Sequence, residues 1–213
     1  MIPCMIIPIL AGPDILYRML ATIDYPIAKL IIIDNGDALR HSSGWPVEHV
    51  QSTKLIKMPA NLGVAGSWNL GIKASPFSSY WMIANFDIEF PPGMLRRWDE
   101  ESRDDSVLLA FSPQPFSCFT VGEQVIDRVG LFDEGFHPGY FEDNDFELRC
   151  RITGVEVRRS EIPIVHHNSS TLGFFGDKNN ATYESNAEYW VRKRAAPGPG
   201  AWSLSRRRAN SWD

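Results

Sequence analysis

The sequence predicts an α/β domain with a mostly parallel central sheet and helices on both faces. Three observations predict it. Apolar runs of strand length alternate with helical periodicity through the first half of the chain, the order that builds a parallel sheet. The β-branched run Ala28-Lys-Leu-Ile-Ile-Ile33 suits a parallel strand buried on both faces. Two apolar runs also end in acids, at Asp34 and at Asp87. Open α/β sheets bind ligands beyond the carboxyl ends of their strands, so these acids should meet at one crevice.

The elements follow in order. Met5 to Leu10 reads as a first strand. Asp14 is placed to cap a helix from Ile15 to Ile23, whose apolar residues recur at helical spacing. The strand Ala28–Ile33 comes next, then a short strand, Lys54 to Met58. A loop through Gly66 feeds a helix from Ser67 to Ala74. Tyr80 to Ala84 is the central strand, ended by Pro91-Pro-Gly93 after Asn85, Asp87 and Glu89. Helices are expected over Gly93–Glu101, Glu123–Val129 and most of Phe141–Thr153, the last two ended by Gly130 and Gly154. Strands are expected over Val107–Phe111, Phe116–Val121, Val155–Arg158 and Ile162–Val165. The chain is polar from Asn168 to about Asn180 and helical again over Ala181–Arg194. Residues 1–195 therefore read as one domain. Residues 196–213 read as a Pro/Gly linker and a basic, disordered tail carrying Arg206-Arg-Arg208.

Composition narrows the function. The chain has 213 residues, 44% hydrophobic and 22% charged, with a net charge of −5. That balance argues against a nucleic-acid binder. Cys4, Cys118 and Cys150 are odd in number and lack metal-type spacing, which suits reduced thiols and a cytoplasmic location. No apolar run approaches the roughly 20 residues of a transmembrane helix, and the N-terminus lacks a signal-peptide pattern.

Five constellations carry chemistry. Asn85, Asp87 and Glu89 follow a buried strand, where carboxylates need a compensator, and a hard cation such as Mg²⁺ or Mn²⁺ is the natural one. Asp34-Asn-Gly-Asp37 reads equally as a turn and as an acid for a base or ribose contact. Asn61-Leu-Gly-Val-Ala-Gly-Ser-Trp-Asn-Leu-Gly71 reads either as tight helix-on-sheet packing or as a helix start favouring a diphosphate. Glu142-Asp-Asn-Asp-Phe-Glu147 holds more carboxylates than a helix N-terminus needs, so one of them is a candidate general base. His166-His167 follows a strand, and alternation lets one imidazole of the pair reach the rim. A diphosphate facing two such carboxylates is repelled by about 4 kcal/mol per pair at 4 Å, and a divalent cation reverses that sign.

Taken in order, Asp34, Asn61-x-Gly-x-Ala-Gly-Ser-x-Asn-x-Gly71, Asn85-x-Asp87, Gly130-Leu-Phe-Asp-Glu134, Glu142-Asp-x-Asp145 and the following histidine resemble a family 2 glycosyltransferase of the GT-A fold, in its rhamnosyltransferase-like branch. The resemblance covers roughly residues 3 to 195. It implies an inverting transfer of a sugar from a nucleotide-diphosphate donor (UDP-, dTDP- or GDP-linked) to an acceptor hydroxyl. Asp34 would contact the nucleoside, and Asn61, Gly66, Asn69 and Asn85 would serve the donor. Asp87 would hold Mn²⁺ or Mg²⁺ with His166 or His167. His166 fits the motif better, since His166-x-x-Ser169-x-Thr171 then aligns. Asp143 matches the catalytic base, with Glu142 and Asp145 on the acceptor side and Gly139-Tyr140 as a mobile lip. The acceptor would be a glycan, a small molecule or a protein, and the basic tail is a candidate for peripheral membrane contact. A non-catalytic nucleotide-sugar or glycan-binding module on the same fold is the alternative. A nucleotidyltransferase ranks lower, because Ala11-Gly-Pro-Asp14 lacks a basic residue.

Overall fold

In the computed structural model, residues 1–40, 47–111, 114–167 and 170–195 are described. The strands β1 (Ile2–Ile9), β2 (Ile27–Asp34), β3 (Val50–Lys57), β4 (Tyr80–Ala84), β6 (Ser106–Leu109), β7 (Cys118–Gly122) and β8 (Glu156–Arg159) form one sheet in the order β3-β2-β1-β4-β7-β6-β8. All pairings are parallel except those of β7, which runs antiparallel to both β4 and β6. A second, two-stranded sheet pairs β5 (Ile88–Glu89) with β9 (Val165–His166).

Alternation along the strands builds two cores. Ile7 and Ile9 of β1 with Leu30 and Ile32 of β2 face helices α1 (Pro13–Leu20) and α3 (Met94–Glu101), which contribute Leu16, Met19 and Trp98. Cys4 and Ile6 with Ile31 and Ile33 face α2 (Gly63–Lys73), α4 (Glu123–Val129) and α5 (Glu142–Ile152), which contribute Trp68, Val125 and Phe146. This two-sided burial is why β2 reads as an apolar run broken only by Lys29 before Asp34. The three cysteines are buried and unpaired with one another.

Several expected elements shift. β3 begins at Val50, before the expected Lys54. It is the sheet's edge, and its polar Gln51-Ser-Thr-Lys54 segment is what edge strands use to resist pairing. Helix α1 starts at Pro13, so Asp14 sits in its first turn and not at the cap; Gly12, with φ 71°, takes that place without a side-chain bond. Helix α2 starts at Gly63, well before Ser67, with Leu62 at the cap position and the Gly63 amide donating to the Asn61 side-chain oxygen at 2.8 Å. A Cβ on Gly71 would lie 2.4 Å from the Ile6 Cγ2, so glycine there lets α2 approach β1. Of the expected strand Ile162–Val165, only Val165 pairs, together with His166. Pro163 cannot donate to a ladder. Helix α6 (Ser170–Ala195) begins within the stretch expected to be polar loop, where Gly173 and Gly176 hide it from propensity reasoning. The basic tail over 196–213, and Asn168 and Ser169 of the histidine motif, lie outside the described residues. Among the described residues no helix is long and apolar enough to cross a membrane.

Candidate active site

A cavity of about 500 Å³ opens where β1, β2 and β4 end and β7 begins. The antiparallel direction of β7 brings its start to this edge. The floor is set at β4. Its last residue is followed by Asn85, whose amide donates to the Ser117 carbonyl at 2.8 Å, and by Phe86 and Asp87, all lining the cavity. The chain turns here, so the alternation that would have put Asp87 and Glu89 on one face does not persist.

The β5–β9 pairing brings in the histidines. Ile88 registers with His166, and the His167 amide donates to the Asp87 carbonyl at 3.0 Å. As a result the His166 Nε2 lies 3.2 Å from the Asp87 Oδ1, both side chains largely buried and lining the cavity. His167 points the other way, with its Nε2 2.9 Å from the Glu89 Oε1, and does not line the cavity. Strand alternation therefore keeps the His167 ring out of the cavity. Among the described residues no group of three or more His, Cys, Asp and Glu side chains gathers for a metal. The Asp87 carboxylate and the His166 imidazole are donor types that a Mn²⁺-type cation would accept.

Asp34 is placed differently from expectation. It is fully buried, and its carboxylate accepts from the backbone amides of Gly36 (3.3 Å), Ala38 (2.9 Å) and Leu39 (2.8 Å). The buried acid is compensated by its own turn. Its neighbour Asn35 lines the cavity instead, donating to the Ser67 hydroxyl and accepting from the Leu62 amide at 3.3 Å.

The small-residue loop divides likewise. Asn61 lines the cavity. Asn69 does not; it is buried, donates to the Phe132 carbonyl (2.9 Å) and Glu134 (2.8 Å), and accepts from the Phe132 amide (3.0 Å). Gly66 also lies off the cavity, where a Cβ would come within 3.1 Å of the Leu62 Cβ. Asn69 ties α2 to the segment Phe132–Glu134, and Gly66 faces the cap residue of its own helix. The start of α2 is partly spoken for as well, since the Gly63 amide bonds Asn61 and the Val64 amide bonds the Pro138 carbonyl at 2.7 Å.

The opposite wall is the turn into α5. Tyr140 (φ 74°) and Phe141 (φ 73°) are both left-handed, a conformation that costs a side-chain-bearing residue about 1–2 kcal/mol. They deliver Glu142 and Asp143 to the cavity at the helix start. Burial pushes the Asp143 carboxyl above its usual range, against the hydrogen bond from the Asn144 amide at 2.8 Å. Glu142 is 7% exposed, and its Oε2 has no hydrogen-bond partner. Burial, then the neighbouring Asp143 charge, pushes it up to about 8, so it holds its proton at neutral pH.

Asp145 does not face an acceptor. It is fully buried between the Arg149 Nε at 2.8 Å and the Lys193 Nζ at 2.7 Å. Lys193 also pairs with Asp133, which Tyr189 bonds at 2.9 Å. The expected lip is held rather than loose. The Gly139 carbonyl accepts from the Asn186 side chain at 2.7 Å, and the His137 ring lies 3.1 Å from the Asn61 carbonyl. Asn35, Ser117 and Tyr183 line the cavity without having been foreseen. Asn35 could have been found beside Asp34, but Tyr183 arrives on a distant helix and leaves no local signal.

No family model matches the chain. A galactofuranosyl glycosyltransferase of Leishmania donovani is 30% identical over 77 residues, which is 36% of this chain and 18% of that protein. A mannosyltransferase from Pyrobaculum calidifontis, solved with GDP-Man and Mn²⁺, superposes with a TM-score of 0.67 at 13% identity, over 94% of this chain and 66% of its own. TarS of S. aureus, solved with UDP-GlcNAc, superposes at 0.59 and 14%, over 76% and 57%. The catalytic domain of a Drosophila β1,4-galactosyltransferase, solved with xylobiose, superposes at 0.56 and 13%, over 79% and 71%. The chain thus has the GT-A glycosyltransferase fold. The likeness does not single out a rhamnosyltransferase-like branch, and the chain spans less than a fifth of the Leishmania relative.

Proposed function

We propose that the protein is an inverting glycosyltransferase that moves a sugar from a nucleotide-diphosphate donor to an acceptor hydroxyl. One observation carries this reading. A single cavity at the strand ends gathers Asn85, Asp87 and His166 on one wall and Glu142 and Asp143 on the other. The first wall suits a diphosphate with its cation. The second suits a nucleophile that must lose a proton.

Asp143 accepts the proton of the acceptor hydroxyl as that oxygen attacks the anomeric carbon. The new glycosidic bond forms on the face opposite the departing diphosphate, so the configuration inverts. Its raised affinity for a proton makes Asp143 a better base than an ordinary aspartate. Glu142, protonated, adds no second negative charge beside it. Asp87 and His166 would hold Mn²⁺ or Mg²⁺, which when bound neutralises charge on the leaving diphosphate. Asn35, Asn61 and Asn85 line the donor side as neutral hydrogen-bonding groups.

The test is thermal shift and donor turnover with UDP-, dTDP- and GDP-sugars, with Mn²⁺ and with EDTA. One nucleotide class should stabilise the protein by about 2.7 kcal/mol at a hundredfold excess over Kd, and EDTA or Asp87→Ala should abolish this. Asp143→Asn should keep that shift and lower transfer about 10²–10⁴-fold. Binding with no turnover in the wild type would replace the transferase reading with a nucleotide-sugar binding module.

A further inference from the structure

Resting on the transferase reading, we propose that the acceptor is a saccharide and that Tyr183 is the platform on which its ring stacks beside Asp143. Tyr183 stands on α6, lines the cavity and is 48% exposed. Among the described residues the other exposed large hydrophobic side chains, Phe77 and Phe111 foremost, do not line the cavity. The ring is therefore left open at the one place where a ligand would meet it.

The platform is built, not incidental. Tyr140 lies 5.3 Å from Tyr183 at 75°, and Phe141 lies 5.2 Å away at 48°. Those two residues immediately precede Glu142 and Asp143, so the ring is fixed relative to the candidate base. Asn186, one turn along α6, locks the same loop through the Gly139 carbonyl at 2.7 Å. Fixed geometry of this kind is what orients a nucleophile for attack.

The chemistry around the ring selects the ligand class. A sugar has an apolar C–H face and a rim of hydroxyls. An aromatic face gathers dispersion contacts from the first, and carboxyl and amide groups take hydrogen bonds from the second. Tyr183 supplies the aromatic face, while Glu142, Asp143 and Asn144 line the cavity near it. A lipid chain would need a contiguous apolar track, and the wall beside Tyr183 carries two carboxyls instead.

Saturation-transfer NMR with methyl hexopyranosides and methyl hexofuranosides tests this on the wild type, Tyr183→Ala and Tyr183→Trp. Ring C–H protons of at least one glycoside should receive saturation from the wild type. Affinity should fall about tenfold or more in Tyr183→Ala, as loss of one stacked ring implies, and persist in Tyr183→Trp. The nucleotide-sugar thermal shift should be unchanged in both variants, which shows that they fold. No glycoside contact in the wild type, or equal affinity in Tyr183→Ala, overturns the proposal. The nucleotide-sugar arm judges the transferase reading separately, because it does not involve Tyr183.

Discussion

The cavity has two walls held by different forces. The strand-end wall, with Asn85 and Asp87, rises from β1, β2 and β4, whose apolar side chains are almost wholly buried. The wall across from it, residues 137–143, is held by α6 through aromatic contacts of Tyr183 with Tyr140 and Phe141 and, unlike the first wall, through polar and ionic ones: Asn186 to Gly139, and Lys193 shared between Asp133 and Asp145. Burial of apolar surface is non-directional and indifferent to pH. A buried charge network depends on geometry and on every partner being present. One protein thus sets the strand-end wall on a rigid frame and the wall across from it on a clasp that solution conditions can loosen.

The largest contrast should come from Lys193→Ala. It takes the shared cation from the part-buried Asp133 and the fully buried Asp145, leaving the latter only Arg149, an expected loss of about 3–5 kcal/mol, measurable by urea unfolding. A loss below 1 kcal/mol would mean the clasp does not hold the wall. The pH dependence separates the walls next. Glu142 is raised from 4.5 to about 8 in the folded protein. Its contribution to stability is therefore present below pH 4.5 and lost as pH rises towards 8. Across that window the wild type should lose up to about 1.4 kcal/mol per pH unit from this group, and Glu142→Gln should flatten the profile. An unchanged slope would show that Glu142 titrates normally.

On the frame, Gly71→Ala forces a methyl against Ile6 and should cost about 1–3 kcal/mol. That loss should be the same at pH 5 and at pH 8, unlike the effect at Glu142. The smallest effect is Asn186→Ala, about 1 kcal/mol for its bond to the Gly139 carbonyl. Its signature should be faster amide exchange in 137–141 with β1 and β4 unaffected; uniform exchange would erase the distinction between the walls.

The frame was legible in the sequence because burial writes itself into local pattern. The run ending at Ile33 and the run Tyr80–Ala84 announced β2 and β4, and their ends announced the crevice. Asp87, Asn85, Glu142 and Asp143 sit beside such signals and line the cavity. The buried polar contacts were not legible. Asp145, Asn69 and Asp34 carry the same residue types as ligands do, and their partners lie at Lys193, Phe132 and the turn amides. A carboxylate that compensates a buried cation or caps a turn is indistinguishable, in sequence, from one that awaits a substrate.

The separation along the chain has a consequence for how the protein comes into being. Asn186 and Gly139 are 47 positions apart, and Lys193 and Asp133 are 60 apart. Both contacts wait for α6, which follows the other described elements in the chain. During synthesis β1, β2 and β4 leave the ribosome long before α6 does. The nascent chain therefore carries β1, β2 and β4 before the α6 contacts to the opposite wall can form.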